Sequence, residues 1–174
     1  MKVVFLDVDG VLTYSNYRNP ETSDIDVEKV KLLKEICDKT NAKVVISSSW
    51  KGTRNRVPHI YSTLLKVLSD NDISVIGNTP YVELLFEDDD FMKTNKPIPL
   101  IAFLKAKVKH GTGRAAEIEK WTNENNPERF VILDDENYDW AEYNYENNWV
   151  QTTWDDDGGL KKEHVEMAIR ILNS

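Results

Sequence analysis

Residues 3–12 read VVFLDVDGVL, and this stretch decides the fold. Its first four residues are apolar and rich in β-branched and aromatic types, which is typical of a strand buried in a parallel sheet. Open α/β sheets bind ligands at the carboxyl ends of their strands, where Asp7 would lie. Asp9 would point the same way because strand side chains alternate with a period of two, and Gly10 permits a sharp turn after it.

Two carboxylates at one sheet edge repel each other unless a cation or a shared proton lies between them. A hard cation such as Mg²⁺, bound through oxygen atoms, is the usual solution. The alternative is a calcium loop or a plain turn, in which Asp-x-Asp-Gly also occurs. A calcium loop would continue with more oxygen ligands, whereas this chain continues with Val11 and Leu12. The pattern therefore favours Asp7 and Asp9 as parts of a magnesium site.

A length of 174 residues suits one domain, residues 1–174, and is enough to bury a sizeable core. The contents of 40% hydrophobic and 30% charged residues are ordinary for a soluble protein. The net charge of −8 argues against extended contacts with nucleic acid or an anionic membrane. The single cysteine, Cys37, excludes an internal disulfide and is expected to be a buried hydrophobe in a reducing compartment. No signal peptide is predicted, because the opening apolar run ends at Asp7. We therefore expect a cytoplasmic protein without a membrane partner, and the sequence carries no signal for an oligomeric state.

A second apolar run, residues 42–46, leads into Ser47, Ser48 and Ser49. Hydroxyls and the backbone N–H groups of the following turn suit phosphate oxygens, although serines in such a run also cap helices. Lys51 follows at once and could meet a second anionic group on a substrate, or could be a solvated surface charge. Ser47, Ser48 and Lys51 are therefore candidate phosphate or substrate ligands.

A third apolar run, residues 130–133, ends in Asp134 and Asp135. Taken alone, two acids after a strand could cap a turn. Because two other predicted strands also end in polar side chains, we expect all three ends to meet at one site. Asp134 and Asp135 are therefore candidate metal ligands.

Arg114 stands at the start of a predicted helix, where a cation is unfavourable for the helix dipole. This position indicates a function for Arg114 beyond helix stability, such as holding an anion. Lys105, Lys107 and Lys109 are rival candidates, and a solvated surface arginine is the alternative.

Two segments lie outside the predicted core. Residues 13–26 are polar and predict a loop or flap over the site. Residues 81–112 are irregular, and the acidic run at 87–90 favours a solvated loop over a metal site. The alternating lysines at 105–109 predict an edge strand or a basic strip that faces a substrate. Elsewhere strands and helices alternate, which predicts an α/β domain with a mainly parallel sheet and helices on both faces.

The run FLDVDGVL resembles the first motif of the haloacid dehalogenase (HAD) superfamily of phosphohydrolases. The runs that end at Ser47 and at Asp134-Asp135 are similar to its second and fourth motifs. The run GRAAEI at Arg114 resembles the third motif as it occurs in HAD domains of "Swiss army knife" RNA-repair proteins. The resemblance implies a HAD-type Rossmann-like three-layer domain with a short flap. At most a small cap is expected at 81–112, as a lid, a dimer contact or a surface insertion.

The resemblance also implies a mechanism. Asp7 would attack phosphorus, and Asp9 would act as the acid and base. Mg²⁺ would bind Asp7, the backbone carbonyl of Asp9 and Asp134, with Asp135 as a further ligand or an orienting group.

Ser47 and Arg114 would hold the phosphoryl oxygens, and Ser48 and Lys51 would bind substrate. The expected function is a Mg²⁺-dependent phosphomonoesterase that acts on a small phosphorylated metabolite or nucleotide. A phosphatase for 3′-phosphates of RNA or DNA is less favoured by the net charge. A non-catalytic Mg²⁺-dependent binding module is the third alternative. The presence of Asp9 argues against it, because a module without turnover has no need of an acid at that position.

Overall fold

The computed structural model of the protein describes residues 1–55, 57–85 and 109–174. Strands and helices alternate along the described chain, with these bounds: β1 (Lys2–Leu6), α1 (Val27–Thr40), β2 (Lys43–Ile46), α2 (Pro58–Asp70), β3 (Val75–Asn78), α3 (Gly113–Asn125), β4 (Arg129–Asp134), β5 (Trp149–Gln151) and α4 (Lys162–Asn173). Short 3₁₀ helices cover Pro20–Thr22, Ser49–Asn55 and Trp140–Tyr143.

The five strands form one parallel sheet in the order β3-β2-β1-β4-β5. β1 is central, and its Val4 lies opposite Val44 of β2 and Val131 of β4. The carboxyl ends of β1, β2 and β4 are therefore neighbours at one edge of the sheet. This arrangement confirms the predicted α/β class.

Alternate side chains of β1 enter two separate cores. Val4 and Leu6 pack under α1, α2 and α4, which contribute apolar residues such as Leu33, Leu64 and Val165. Val3 and Phe5 face the other side, where the cover includes Ala115, Ile118 and Trp121 of α3. The domain thus has the three layers that the sequence predicted, with helices on both faces of the sheet.

Two features of α1 agree with its sequence, in which Asp26 is a candidate N-cap and Cys37 falls on the apolar face. The Asp26 side chain caps α1 by accepting a hydrogen bond of 2.9 Å from the Glu28 backbone N–H. Cys37 lies buried on the inner side of α1, and burial raises the pKa of its thiol to about 11. It therefore behaves as a small hydrophobe rather than as a nucleophile.

The run Ile73-Ser74-Val75-Ile76-Gly77 predicts a third strand, and the strand in the structure begins later than this run. β3 starts at Val75, and the register of its pairing with β2 shifts between Val44 and Val45. Ile73 is nevertheless buried in the core, which explains its apolar character.

Most of the predicted insertion at 81–112, including Lys105 and Lys107, lies outside the described residues. The two residues that flank residues 86–108 are paired, since the Lys109 N–H donates a hydrogen bond of 2.8 Å to the Leu85 carbonyl. In the part of the chain that the structure describes, no helix combines the length and the apolar composition needed to cross a membrane.

Candidate active site

Three carboxylates meet where β1 and β4 end. Asp7, Asp134 and Asp135 each place an oxygen within 4.8 Å of the others. Asp7 and Asp134 are buried, and Asp135 is partly buried. The Asp7 N–H donates to the Leu133 carbonyl at 3.0 Å, so the two strand ends are tied together. The three acids predicted at strand ends therefore lie in one cluster.

Gly10 allows this close approach. Its backbone has φ +70°, which disfavours other residues, and an added Cβ would lie 2.3 Å from Cγ of Asp135. Glycine at position 10 therefore permits the backbone conformation of the turn and leaves space for the Asp135 side chain.

Arg114 reaches this cluster from the start of α3. Its Nη1 lies 2.8 Å from Oδ2 of Asp134 and 3.1 Å from Oδ1 of Asp7, and its guanidinium carbon lies 4.8 Å from the centre of the Tyr138 ring. Burial alone would lower the pKa of Arg114, but Asp7 and Asp134 raise it above its usual value. The group therefore stays charged. Of the three lysines that were rival candidates for this role, Lys109 lies within the described residues, and it is exposed.

The cluster carries more negative than positive charge. Three carboxylates face one guanidinium, which leaves an excess of two negative charges when all are ionised. Burial and the neighbouring Asp7 raise the pKa of Asp134 well above its usual range and that of Asp135 to about 6. Oδ1 of Asp7 is buried and accepts no well-oriented hydrogen bond from the described residues, despite its nearness to Arg114. An all-oxygen donor set with excess negative charge fits a hard divalent cation.

The side chain of Asp9 has different partners. Trp50 Nε1 donates to Oδ2 at 2.9 Å, and Thr13 Oγ1 donates to Oδ1 at 3.1 Å. Burial raises the pKa of Asp9; the Trp50 hydrogen bond opposes this, and Asp7 adds to it. The carboxyl group is thus held in a fixed orientation beside the cluster, with a greater tendency to carry a proton.

The two candidate serines differ. Both are buried, but Oγ of Ser47 has no hydrogen-bond partner among the described residues. Ser48 Oγ accepts a hydrogen bond of 3.3 Å from the Trp50 N–H, which is the capping contact that was the alternative for this serine run. Ser47 therefore has a hydroxyl available at the end of β2.

The Lys51 side chain is partly buried in a polar network. Its Nζ donates to Thr79 Oγ1 at 2.7 Å, to the Pro80 carbonyl at 3.3 Å and to Glu117 Oε2. Glu117 also accepts hydrogen bonds from the Thr79 hydroxyl at 3.1 Å and from the Val82 N–H at 3.3 Å. Because an ammonium has three N–H donors, these acceptors match it fully. Lys51 as a substrate ligand stays a prediction, and binding would require it to give up one of these contacts.

Three cavities open around this edge of the sheet. A cavity of about 600 Å³ is lined by Asp7, Asp9, Asp135, Arg114 and Trp154, among others. A smaller one of about 210 Å³ shares Asp9 and Trp154 and is walled by the segment predicted as a flap, including Tyr14 and Arg18. The third, of about 620 Å³, includes Lys51, Glu117, Arg114 and Tyr138.

Several contacts in the site lay beyond the reach of sequence reasoning. Trp50, Tyr138, Glu117 and Trp154 were not candidates, although Trp50 directly follows the serine run and Tyr138 lies four residues after Asp134. Proximity to a predicted motif was the only available signal, and it does not say which way a side chain points.

A comparison with known protein families identifies a family that covers most of the chain. The profile of the family "HAD domain in Swiss Army Knife RNA repair proteins" matches residues 3–165, which is most of the chain. No curated protein and no solved structure matches the sequence significantly. HAD domains are generally hydrolases. With its parallel three-layer fold, its carboxylate cluster and this match, the chain belongs to the HAD domain family of Swiss Army Knife RNA repair proteins.

Proposed function

We propose that the protein is a Mg²⁺-dependent phosphomonoesterase that acts on a small phosphorylated metabolite or nucleotide through an aspartyl-phosphate on Asp7. One observation carries the proposal. Three clustered carboxylates exceed the single guanidinium beside them by two charges, and Asp9 is held separately by two hydrogen bonds. The carboxylate cluster therefore has an excess of negative charge that a metal ion could balance. The Asp9 side chain, which is held outside the cluster, is free of that role and could act as the acid.

The residues fit Mg²⁺. Asp7, Asp134 and Asp135 would hold the ion, together with the backbone carbonyl of Asp9. Bound there, Mg²⁺ would neutralise the carboxylates and polarise a phosphoryl oxygen.

The first chemical step uses Asp7 and Asp9. A carboxylate oxygen of Asp7 forms a bond to phosphorus as the bond from phosphorus to the leaving oxygen breaks. Protonated Asp9 gives its proton to that oxygen, so an alcohol departs. The hydrogen bonds from Trp50 and Thr13 keep the carboxyl group of Asp9 in place for this transfer.

The second step reverses the proton transfer. Ionised Asp9 takes a proton from a water molecule, whose oxygen bonds to phosphorus. The bond from phosphorus to the Asp7 oxygen breaks, which frees the carboxylate and releases inorganic phosphate.

Ser47 and Arg114 would hold the phosphoryl oxygens, where charge spreads during transfer. The unpartnered Ser47 hydroxyl and the buried guanidinium support these roles. Ser48 and Lys51 are weaker candidates for substrate contacts, because their polar atoms already have partners.

The proposal is tested by hydrolysis of 4-nitrophenyl phosphate with Mg²⁺ or EDTA. We expect Mg²⁺-dependent turnover that falls by at least about 10³-fold in Asp7→Asn, because the nucleophile is lost. Asp70→Asn is the matched control, since Asp70 is exposed on α2 and pairs with Lys66. Turnover that survives Asp7→Asn would overturn the proposed nucleophile. Absence of turnover in the wild type would favour the binding module.

A second candidate is a phosphatase for 3′-phosphates at RNA or DNA ends, which the name of the matching family favours. It predicts that a 3′-phosphorylated oligonucleotide has a higher kcat/KM than a mononucleotide. Its binding would also weaken steeply with salt.

A further inference from the structure

The position of Asp9 defines where the departing alcohol lies. In the proposed function, Asp9 protonates the leaving oxygen, so the alcohol must occupy a cavity that Asp9 lines. The cavities of about 600 Å³ and 210 Å³ meet this condition, whereas Asp9 does not line the one of about 620 Å³. Trp154 lines both cavities that contain Asp9.

Trp154 presents its indole on a well-anchored backbone. The side chain is 43% exposed. The carbonyl of Trp154 accepts a hydrogen bond of 3.2 Å from the Ser15 N–H, and the carbonyl of Thr153 accepts one of 2.8 Å from the Gly159 N–H. The Leu160 N–H ties the same loop to the turn after β1 by donating a hydrogen bond of 2.8 Å to the Val11 carbonyl.

An exposed apolar side chain is ordinary by itself. This indole differs because its loop is held in place and because it faces the space next to Asp9. Because the loop is already held in place, stacking a ring on the indole would cost little conformational entropy of the protein. Every planar ring offers a face for such stacking. The arrangement suits a leaving alcohol that carries a planar ring.

The charges on this side argue for an uncharged alcohol. Asp24 lines the smaller cavity, and Asp155, Asp156 and Asp157 are exposed directly after Trp154 in the chain. Among the described residues that line this cavity, Arg18 is the only cation, and its Nη1 already donates to the Tyr17 carbonyl at 2.6 Å. A nucleic-acid strand would bring further phosphates into this acidic surface.

We propose that the substrate is a phosphomonoester of an uncharged alcohol with a planar ring, such as a nucleoside, and that the ring stacks on Trp154. The proposal rests on the proposed function, because the role of Asp9 defines the leaving side. Trp154 is then the residue that sets specificity for the alcohol.

The first test compares adenosine monophosphates (2′, 3′ and 5′ isomers) with glycerol phosphate, which has no ring. We expect the ratio of their kcat/KM values to fall about 10- to 100-fold in Trp154→Ala, which is the usual effect of losing one stacking ring. Trp154→Phe should retain most of the ratio. Tyr81→Ala is the matched control, because Tyr81 is exposed and lines the cavity that Asp9 does not. An unchanged ratio in Trp154→Ala would overturn the proposal.

The second test separates this proposal from the proposed function, because it needs no turnover. Adenosine, the alcohol itself, is titrated into the wild type and into Trp154→Ala by calorimetry. We expect the Kd to rise at least about tenfold in the variant. If binding depends on Trp154 while no ester is hydrolysed, the ring site stands and the phosphatase proposal fails.

Equal adenosine binding by both proteins, or no saturable binding by the wild type, would overturn the ring site even if esters are hydrolysed. A higher kcat/KM for a 3′-phosphorylated oligonucleotide than for every adenosine monophosphate would overturn the uncharged alcohol. Circular dichroism of Trp154→Ala confirms that the variant is folded.

Discussion

Two largely buried charged clusters in the described chain differ in the balance of their positive and negative charges. At the ends of β1 and β4, three carboxylates face Arg114 alone. Beside them, Lys51 and Glu117 form a one-to-one pair in which the ammonium has three acceptors. The matched pair is complete in the folded chain, whereas the carboxylates of the unmatched cluster could hold a cation from solution. Under the proposed function, the first group supports the structure and the second binds the metal ion.

α3 joins the two clusters. Arg114 and Glu117 are three residues apart on this helix, so they lie on neighbouring positions of one face. Glu117 ties the helix to Lys51 and to Thr79 just after β3, and this contact supports the position from which Arg114 reaches the carboxylates. The balanced pair therefore helps to position the unbalanced site.

Breaking the balanced pair should have the largest effect on stability. Glu117→Gln leaves the partly buried Lys51 ammonium without a carboxylate, and we expect a loss of about 3 kcal/mol in the free energy of unfolding, the lower end of the range for breaking a buried pair. Equilibrium unfolding in urea measures this change. Glu124→Gln, an exposed position on the same helix, should change stability by less than about 0.5 kcal/mol. Equal stability of Glu117→Gln and the wild type would show that the pair does not support the fold.

A substitution in the unbalanced cluster should raise the stability of the metal-free protein rather than lower it. Asp134→Asn removes one of the excess negative charges, so we expect the variant to be more stable than the wild type in EDTA. Saturating Mg²⁺ should stabilise the wild type by about 2.7 kcal/mol at a concentration 100 times its Kd, and should stabilise the variant much less. Thermal unfolding with Mg²⁺ or EDTA compares them. An equal gain from Mg²⁺ in both proteins would place the ion elsewhere.

Of these three predictions, the pH dependence of stability at Asp135 is expected to show the smallest effect. The pKa of Asp135 is raised to about 6, so the folded protein binds a proton here more readily than the unfolded chain, whose pKa is near 3.8. In EDTA this group therefore destabilises the fold above about pH 6, and its penalty fades as the pH falls from 6 towards 4. Asp135→Asn should raise the Tm by a few degrees at pH 7 and by less at pH 4.5. A difference that grows as the pH falls would have the wrong sign for this account.

The sequence predicted the framework of the site because strands covered on both faces appear as continuous apolar runs. Parallel packing brings the ends of such runs together, which places Asp7 beside Asp134 and Asp135. The unfavourable position of Arg114 at the start of a helix was a further signal, and the two ion pairs account for it. Residue type and position were sufficient to place the three carboxylates together, whereas for Arg114 they left three lysines as rival candidates.

The other features of the site depend on contacts between parts of the chain that are distant in sequence, and the sequence did not predict them. Lys51 and Glu117 are 66 residues apart, and Trp50 reaches Asp9 across 41 residues. Periodicity assigns a residue to a face of an element, but it does not identify the partner that packs against that face. The anchored position of Trp154 depends in the same way on hydrogen bonds that join its loop to residues near β1.

The most direct test of the central claim is to trap the covalent intermediate. The protein is quenched during turnover of 4-nitrophenyl phosphate with Mg²⁺ and reduced with borohydride, which converts an acyl phosphate on aspartate into homoserine. Peptide mass spectrometry then locates the change. We predict homoserine at Asp7 in the wild type, and none in Asp7→Asn. Turnover that leaves no modified residue, or that modifies a different aspartate, would contradict the account.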